Sequence, residues 1–170
     1  MKEPRGPKLE TDNAELLFTP SSARSLESSS LGNGSLHEGL ADLLGEKING
    51  AHDLIDVTLR GVSPHSVKRL SEISGGVIDV SWIIAPRTLS HRLNNGQNLT
   101  ADETGKLIRF GKVLIHACRV FGSKDKALRW LGRVHPALSK ERSPLSLCQT
   151  EEGALLITEE LDAIDHGFFA

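Results

Sequence analysis

Residues 100–121 read TADETGKLIRFGKVLIHACRVF, and this stretch decides the fold class that we predict for the chain. Thr100 and Glu103 have the spacing of a capping box, in which each side chain binds a free backbone N–H of the first helical turn. Leu107, Ala117 and the apolar residues around them recur at helical spacing and give the segment one core-facing side. The pattern predicts a long amphipathic helix that runs to the end of the stretch.

The chain from residue 35 onward shows helical patterns on both sides of this stretch. Glycines supply helix stop signals, and no alternating strand pattern of useful length occurs. An aromatic content of 4% without any Tyr also disfavours a large β-sandwich. We therefore predict an all-α fold. The other expected helices lie at about 35–44, 48–59, 64–73, 80–84, 86–93, 124–131 and 151–164, with a short turn at 145–148.

The start of the chain has a different composition. Residues 1–34 include three prolines, and six of the ten residues at 21–30 are serine. Such a segment buries too little apolar surface to offset its ordering entropy. We predict a disordered segment at 1–34, followed by helical domains at 35–109 and 110–170.

Composition also indicates in which cell compartment the protein works and which kinds of chemistry it lacks. Cys118 and Cys148 form no Cys-x-x-Cys pair, and we expect both in the core of a protein of the reducing cytoplasm. No apolar stretch has the length of a signal peptide or a membrane span. No catalytic constellation or phosphate loop stands out, so we expect no catalytic residues, no metal and no cofactor. Asp162 and His166 share a helix face, where an ion pair is the expected arrangement and a metal site the alternative.

Charge is distributed unevenly along the chain. The formal net charge is −5 over residues 1–59, +9 over 60–142 and −6 over 143–170. A basic middle between acidic ends indicates one surface for a polyanion and another for a different partner. Chance clustering on solvated helix faces would give the same counts.

The stretch PRTLSHRL at 86–93 carries a nucleic-acid signal. Leu89 and Leu93 would face the core, which turns the polar side chains outward. Arg and Asn can read bases, and Ser or Thr can bind phosphate at a helix N-terminus. Helices at 64–73 and 80–84 before it would complete a helix-turn-helix, although an ordinary exposed helix would show the same spacing. The predicted DNA-binding residues are Arg87, Thr88, Ser90, His91, Arg92 and Asn94.

Motifs in a fixed order resemble one known family. RTLSHR at 87–92, LTADE at 99–103, VFG at 120–122 and ALRWL at 127–131 follow one another as they do in Xre/MbcA/ParS-type antitoxins of RES–Xre toxin–antitoxin systems. Each fragment alone is weak, but their order and spacing together are specific. The resemblance covers roughly residues 60–170.

The resemblance implies a function for each part of the chain. Such an antitoxin covers the active site of a RES-domain toxin that consumes NAD, and it represses its own promoter. We therefore expect an Xre-like helix-turn-helix domain at 35–109 that binds promoter DNA and a toxin-binding domain at 110–170. A homodimer within a hetero-oligomeric complex is expected, since paired modules read two half-sites. The toxin-binding residues implied by position are Glu159, Asp162, Asp165, His166, Phe168 and Phe169.

Two other classes of protein stay open at this level. A stand-alone helix-turn-helix regulator with a ligand-sensing C-terminal domain would bind DNA without any toxin partner. A small all-α enzyme would carry a metal or cofactor, and no set of residues in the sequence motivates one.

Overall fold

The computed structural model describes residues 34–167. All regular secondary structure in this part of the chain is helical, which confirms the predicted all-α class. The predicted disordered segment at 1–34 lies outside the described residues except for Gly34. The helices are α1 (Leu36–Leu44), α2 (Ala51–Arg60), α3 (His65–Ile73), α4 (Pro86–Asn95), α5 (Ala101–Phe121), α6 (Lys124–Gly132), α7 (Pro144–Leu147) and α8 (Glu151–Asp165).

The long helix α5 lies at the centre, and α1, α2, α6 and α8 pack against it. The predicted capping box forms at its start. The Glu103 N–H donates to Thr100 Oγ1 at 3.2 Å, and the Thr100 N–H donates to the Glu103 carboxylate at 2.7 Å. Phe110 of α5 is fully buried, and the Trp82 ring packs edge-on against it with 6.1 Å between centroids. The helix thus has a fixed start and a buried middle.

Glycines allow α1 to approach α5 closely. A Cβ atom at Gly39 would lie 2.9 Å from Ile115 Cδ1, and one at Gly111 would lie 2.7 Å from Leu43 Cδ2. Neither position leaves room for a side chain without movement of its neighbour. This interlocked contact attaches the first described helix to the central one.

A second close contact joins the residues just after α2 to the residues before α5. Gly61 has a φ of +77°, and a Cβ atom there would overlap the carbonyl oxygen of Leu99. The Leu99 N–H donates to the Val62 carbonyl at 2.8 Å, and the Val62 N–H donates to Thr104 Oγ1 at 3.3 Å. The Asn98 amide donates to the Gly61 carbonyl at 3.1 Å. This junction leaves no space for any residue other than glycine at position 61.

The prediction of a short helix at 80–84 is wrong. This segment forms one turn, in which the Ile83 N–H donates to the Val80 carbonyl at 2.9 Å. The Asp79 carboxylate accepts the Ser81 N–H at 2.8 Å and the Ser81 hydroxyl at 2.9 Å, and both bonds lower the pKa of Asp79. Side chains that bind nearby backbone in this way favour a turn over a helix. The helix-turn-helix therefore stays a prediction, with α3 and α4 as its formed helices.

The second helix begins at Ala51 instead of 48. The Asp53 carboxylate accepts the Asn49 N–H at 2.7 Å, which holds the preceding residues outside the helix. The other predicted segments agree with the structure to within two residues. α5 runs without interruption through residues 109 and 110, where the two predicted domains meet, and that division stays a prediction.

Both cysteines are buried, as predicted. Burial raises the pKa of the Cys118 thiol to about 11 and that of the Cys148 thiol to about 12. Thiols with raised pKa values are poor nucleophiles, which fits residues of the core. None of the helices between residues 34 and 167 is long and apolar enough to cross a membrane.

The junction at Gly61 predicts a large loss of stability on substitution. Gly61→Ala should lower the free energy of unfolding by about 2 kcal/mol more than Gly96→Ala, as measured by urea denaturation. Gly96 is the matched control, because it also has a positive φ, +61°, but a Cβ atom there would meet nothing within 4 Å. The left-handed conformation alone costs an alanine about 1–2 kcal/mol. Equal losses in the two variants would contradict the role assigned to the Leu99 contact.

Candidate functional site

The outward side of α4 carries most of the residues predicted to bind DNA. Arg87, Thr88, His91 and Asn94 are all exposed, and three of them follow one another at i, i+4 and i+7 along one side of the helix. Pro86 occupies the first turn, where a missing N–H costs nothing. None of the ion pairs formed within residues 34–167 involves Arg87. Its guanidinium is therefore available to an external anion.

Two polar side chains of α4 bind within the helix itself. The Ser90 hydroxyl donates to the Pro86 carbonyl at 3.1 Å. The Asn95 amide nitrogen lies 3.1 Å from His91 Nε2 and donates to the His91 carbonyl at 3.0 Å. All three polar side chains remain exposed, so these local bonds do not remove Ser90 or His91 from the surface.

Arg92 points away from this surface and is held by the protein. Its guanidinium donates to the Asn98 carbonyl at 2.8 Å and lies 3.3 Å from the Glu103 carboxylate. The Arg92 side chain is 20% exposed and that of Glu103 14%. Its Nε atom is buried without a hydrogen-bond partner in the described part of the chain. The structure thus separates Arg92 from the other predicted DNA contacts and places it between the end of α4 and the capping box of α5.

A second surface lies between α5 and α8, which run side by side in the same direction. Near the start of α8, Arg109 donates to the Glu151 carboxylate at 2.6 Å and to the Gln149 carbonyl at 3.3 Å. Further along both helices, His116 Nε2 lies 3.2 Å from Asp162 Oδ1. These two contacts span the gap between the helices, which we call the α5–α8 furrow.

The α5–α8 furrow has two halves that differ in polarity. The half near the start of α8 has a volume of about 550 Å³ and a mainly apolar surface, and the other half has a volume of about 530 Å³ and a mainly polar surface. Lys112 and Thr158 line both halves, so the furrow is continuous. The apolar half includes Gly105, Ile108, Val113, Ala154 and Leu155, and the polar half includes His116, Arg119, Asp162 and Asp165.

The residues predicted to bind a toxin lie along the second part of α8 and just after it. Glu159, Asp162, Asp165 and His166 are all exposed. The ion pair predicted between Asp162 and His166 is wrong, because the Asp162 carboxylate contacts the ring of His116. His166 instead uses Nδ1, which lies 2.7 Å from the backbone carbonyl of Asp162. Phe168 and Phe169, which were also predicted, lie outside the described residues.

Sequence reasoning missed the α5 side of the furrow. Arg109, Lys112, His116 and Arg119 lie at i, i+3, i+7 and i+10, a spacing that puts them on one face of α5. In the sequence these cations belong to the basic stretch at 60–142, whereas in the structure they lie beside α8. Within residues 34–167, no group of three His, Cys, Asp or Glu side chains is placed to hold a metal ion.

These features give an all-α protein two separate candidate surfaces, the exposed side of α4 and the α5–α8 furrow. Residues 116–167 match the family model of the antitoxin Xre/MbcA/ParS C-terminal toxin-binding domain. The match begins within α5 and includes α6, α7 and α8. The α8 wall of the furrow therefore lies wholly within the matched region, whereas the α5 wall lies within it only in part.

Three relatives named Antitoxin Xre are similar to about half of the chain. The protein from Photorhabdus laumondii is 38% identical over 82 residues, which are 48% of this chain and 55% of the relative. The one from Yersinia enterocolitica is 34% identical over 88 residues, 51% and 59% respectively. The one from Pseudomonas putida is 36% identical over 95 residues, 54% and 57%. The chain thus spans little more than half the length of these relatives.

About half of the chain is thus similar to relatives named Antitoxin Xre, and residues 116–167 are similar to the toxin-binding domain family. These similarities confirm the resemblance to Xre/MbcA/ParS antitoxins that the sequence predicts.

The placement of Arg92 predicts a difference in stability between two arginine variants. Arg92→Ala should lower the free energy of unfolding by about 1.5–3 kcal/mol, because it removes a partly buried charged hydrogen bond and leaves Glu103 without its cation. Arg87 forms no ion pair within residues 34–167. The stability of the Arg87→Ala variant should therefore stay within about 0.5 kcal/mol of that of the parent chain. Urea denaturation measures both values. Similar stability of the two variants would contradict the structural role of Arg92.

Proposed function

We propose that the chain is an antitoxin that neutralises a cognate RES-domain, NAD-consuming toxin by covering its active site. The observation that carries this proposal is the match of residues 116–167 to a toxin-binding domain family. The exposed carboxylates of Glu159, Asp162 and Asp165 add support. A site that binds the pyrophosphate of NAD presents cations, and carboxylates complement them.

We further propose that α4 binds promoter DNA, so that the antitoxin represses its own gene. The exposed side chains of Arg87, Thr88, His91 and Asn94 supply donors suited to bases and phosphates. The first turn of α4 adds backbone N–H groups and the positive end of the helix dipole. A homodimer would present two such helices, and α2 offers a surface for it, since Ile55 is 55% and Leu59 72% exposed one turn apart.

Truncation of the chain after Ile164 should abolish neutralisation and spare the fold. The deletion removes Asp165 and residues 166–170, while the buried residues of α8 all remain. The measurement is growth and intracellular NAD in cells that express the cognate toxin with either form of the antitoxin. Circular dichroism of the truncated chain is the control for folding.

Each result of this experiment separates the candidate functions. The full chain should co-purify with the toxin and keep NAD high, and a truncated chain that still rescues growth would contradict the assigned toxin contacts. If the full chain neither binds the toxin nor changes NAD, the antitoxin proposal fails. A stand-alone helix-turn-helix regulator would then be the remaining candidate.

Salt dependence of DNA binding should distinguish Arg87 from Arg92. Arg87→Ala should lower the slope of log K against log[salt] by about 1, because one phosphate or base contact made by a cation is lost. Arg92→Ala should lower affinity with an unchanged slope, because Arg92 holds α4 without reaching the DNA. Titration of promoter DNA by fluorescence anisotropy at several salt concentrations measures both quantities.

The same samples test the homodimer and the role of α4. Light scattering should give twice the 18.4 kDa chain mass, and a monomer both free and on DNA would contradict the dimer. An Arg87→Ala variant with unchanged affinity and unchanged slope would exclude α4 as the DNA-binding helix.

A further inference from the structure

We propose that the α5–α8 furrow binds a segment of the toxin that presents an apolar side chain next to a carboxylate. The apolar side chain lies in the apolar half of the furrow, between Ile108 and Leu155, and the carboxylate binds Lys112. The proposal rests on the proposed antitoxin function, because the occupant is a segment of the toxin. It adds a contact made partly by α5 residues that precede the matched toxin-binding region.

Gly105 indicates that the apolar half is kept open. A glycine inside a helix costs about 1 kcal/mol relative to alanine, so a position of this kind needs a reason. For Gly111 the reason is packing within the chain, because a Cβ atom there would lie 2.7 Å from Leu43. A Cβ atom at Gly105 would meet nothing closer than Thr58 Cγ2 at 4.0 Å. Packing within the described residues therefore does not require Gly105, whereas an occupant of the furrow would.

The apolar half also exposes a large side chain. Leu155 is 61% exposed on the α8 wall, although it has Ile108 and Val113 on the opposite wall of the same cavity. A volume of about 550 Å³ is ample for an aliphatic or aromatic side chain. Exposed apolar residues beside a cavity are typical of the anchor positions of protein interfaces. A partner side chain seated there would remove Leu155 from water.

The charged side chains of the furrow indicate which group of the partner lies next to its apolar side chain. Arg109 and His116 each contact a carboxylate of α8 at the two ends of the furrow. Lys112 lies between them and forms no ion pair within residues 34–167. Thr158, the α8 residue that lines both halves together with Lys112, is uncharged, whereas Glu151, which pairs with Arg109, and Glu152 line the apolar half at the start of α8. The middle of the furrow is therefore positive, and a partner carboxylate satisfies Lys112 with a charge-assisted hydrogen bond.

The furrow is also continuous with the region matched to the toxin-binding family. Its α8 wall lies within residues 116–167, whereas Gly105, Ile108 and Lys112 precede them. A toxin that binds α8 over the predicted carboxylates has the apolar half directly beside it. The structure thus extends the toxin interface along α8 toward its start and across onto α5.

Two substitutions with matched controls test this inference in the full chain. Gly105→Leu fills the apolar half, and Lys112→Glu reverses the charge in the middle. Each should raise the Kd for a catalytically inactive form of the cognate RES-domain toxin by at least about ten-fold in calorimetric titration. Gly132→Leu, at a glycine of α6 where a Cβ atom would meet nothing within 4 Å, and Lys126→Glu, at an exposed position on α6, should stay within about two-fold of the parent chain.

The outcomes separate this inference from the antitoxin proposal. If the parent chain does not bind the toxin, the proposed function fails and the furrow loses its occupant. If the parent chain binds and both variants bind equally well, the furrow inference is overturned and the antitoxin function stands. Circular dichroism checks folding, and Leu155→Lys at an exposed position replaces Gly105→Leu if the latter misfolds. A change in the mass of the free chain on substitution would identify a second copy as the occupant and overturn the inference.

Discussion

The capping box at the start of α5 is the interaction on which both surfaces depend. Glu103 closes the first turn of α5 through the Thr100 N–H and, with the same carboxylate, binds Arg92 at the end of α4. α5 then continues for 21 residues, about 30 Å, and its second part forms one wall of the α5–α8 furrow. One carboxylate therefore closes the first turn of the central helix and links it to the last turn of α4.

The exposed side of α4 and the α5–α8 furrow are both attached to α5. The middle of α5 is buried, and α5 packs closely against α1 at Gly111, so its neighbours hold it in place. The Gly61 junction fixes the residues just before it through Leu99 and Thr104. The exposed side of α4 and the α5–α8 furrow are therefore held at a set distance by α5.

Local rules predicted most of the helices, and the errors come from side-chain bonds that helical spacing does not reveal. The capping residues and apolar spacing of α5 are visible in the sequence, as are the Pro86 start and Gly96 end of α4. The pairing of Arg92 with Glu103 is not, because helical spacing gives only the side of α4 on which Arg92 lies. The segment at 80–84 has apolar residues that suit a helix, but Asp79 and Ser81 bind each other and form a turn instead.

The positive charge of the middle region shows the same limit of sequence reasoning. Its count of +9 treats every cation as available, whereas Arg69 donates to the Asp42 and Leu43 carbonyls and Arg92 binds Glu103. Arg109 is likewise paired with Glu151 beside the furrow. The exposed side of α4 therefore presents few free cations, with the free N–H groups of its first turn beside Arg87. The net charge counted along a stretch of sequence thus overstates the charge that its surface offers to a partner, because internal hydrogen bonds and ion pairs use part of it.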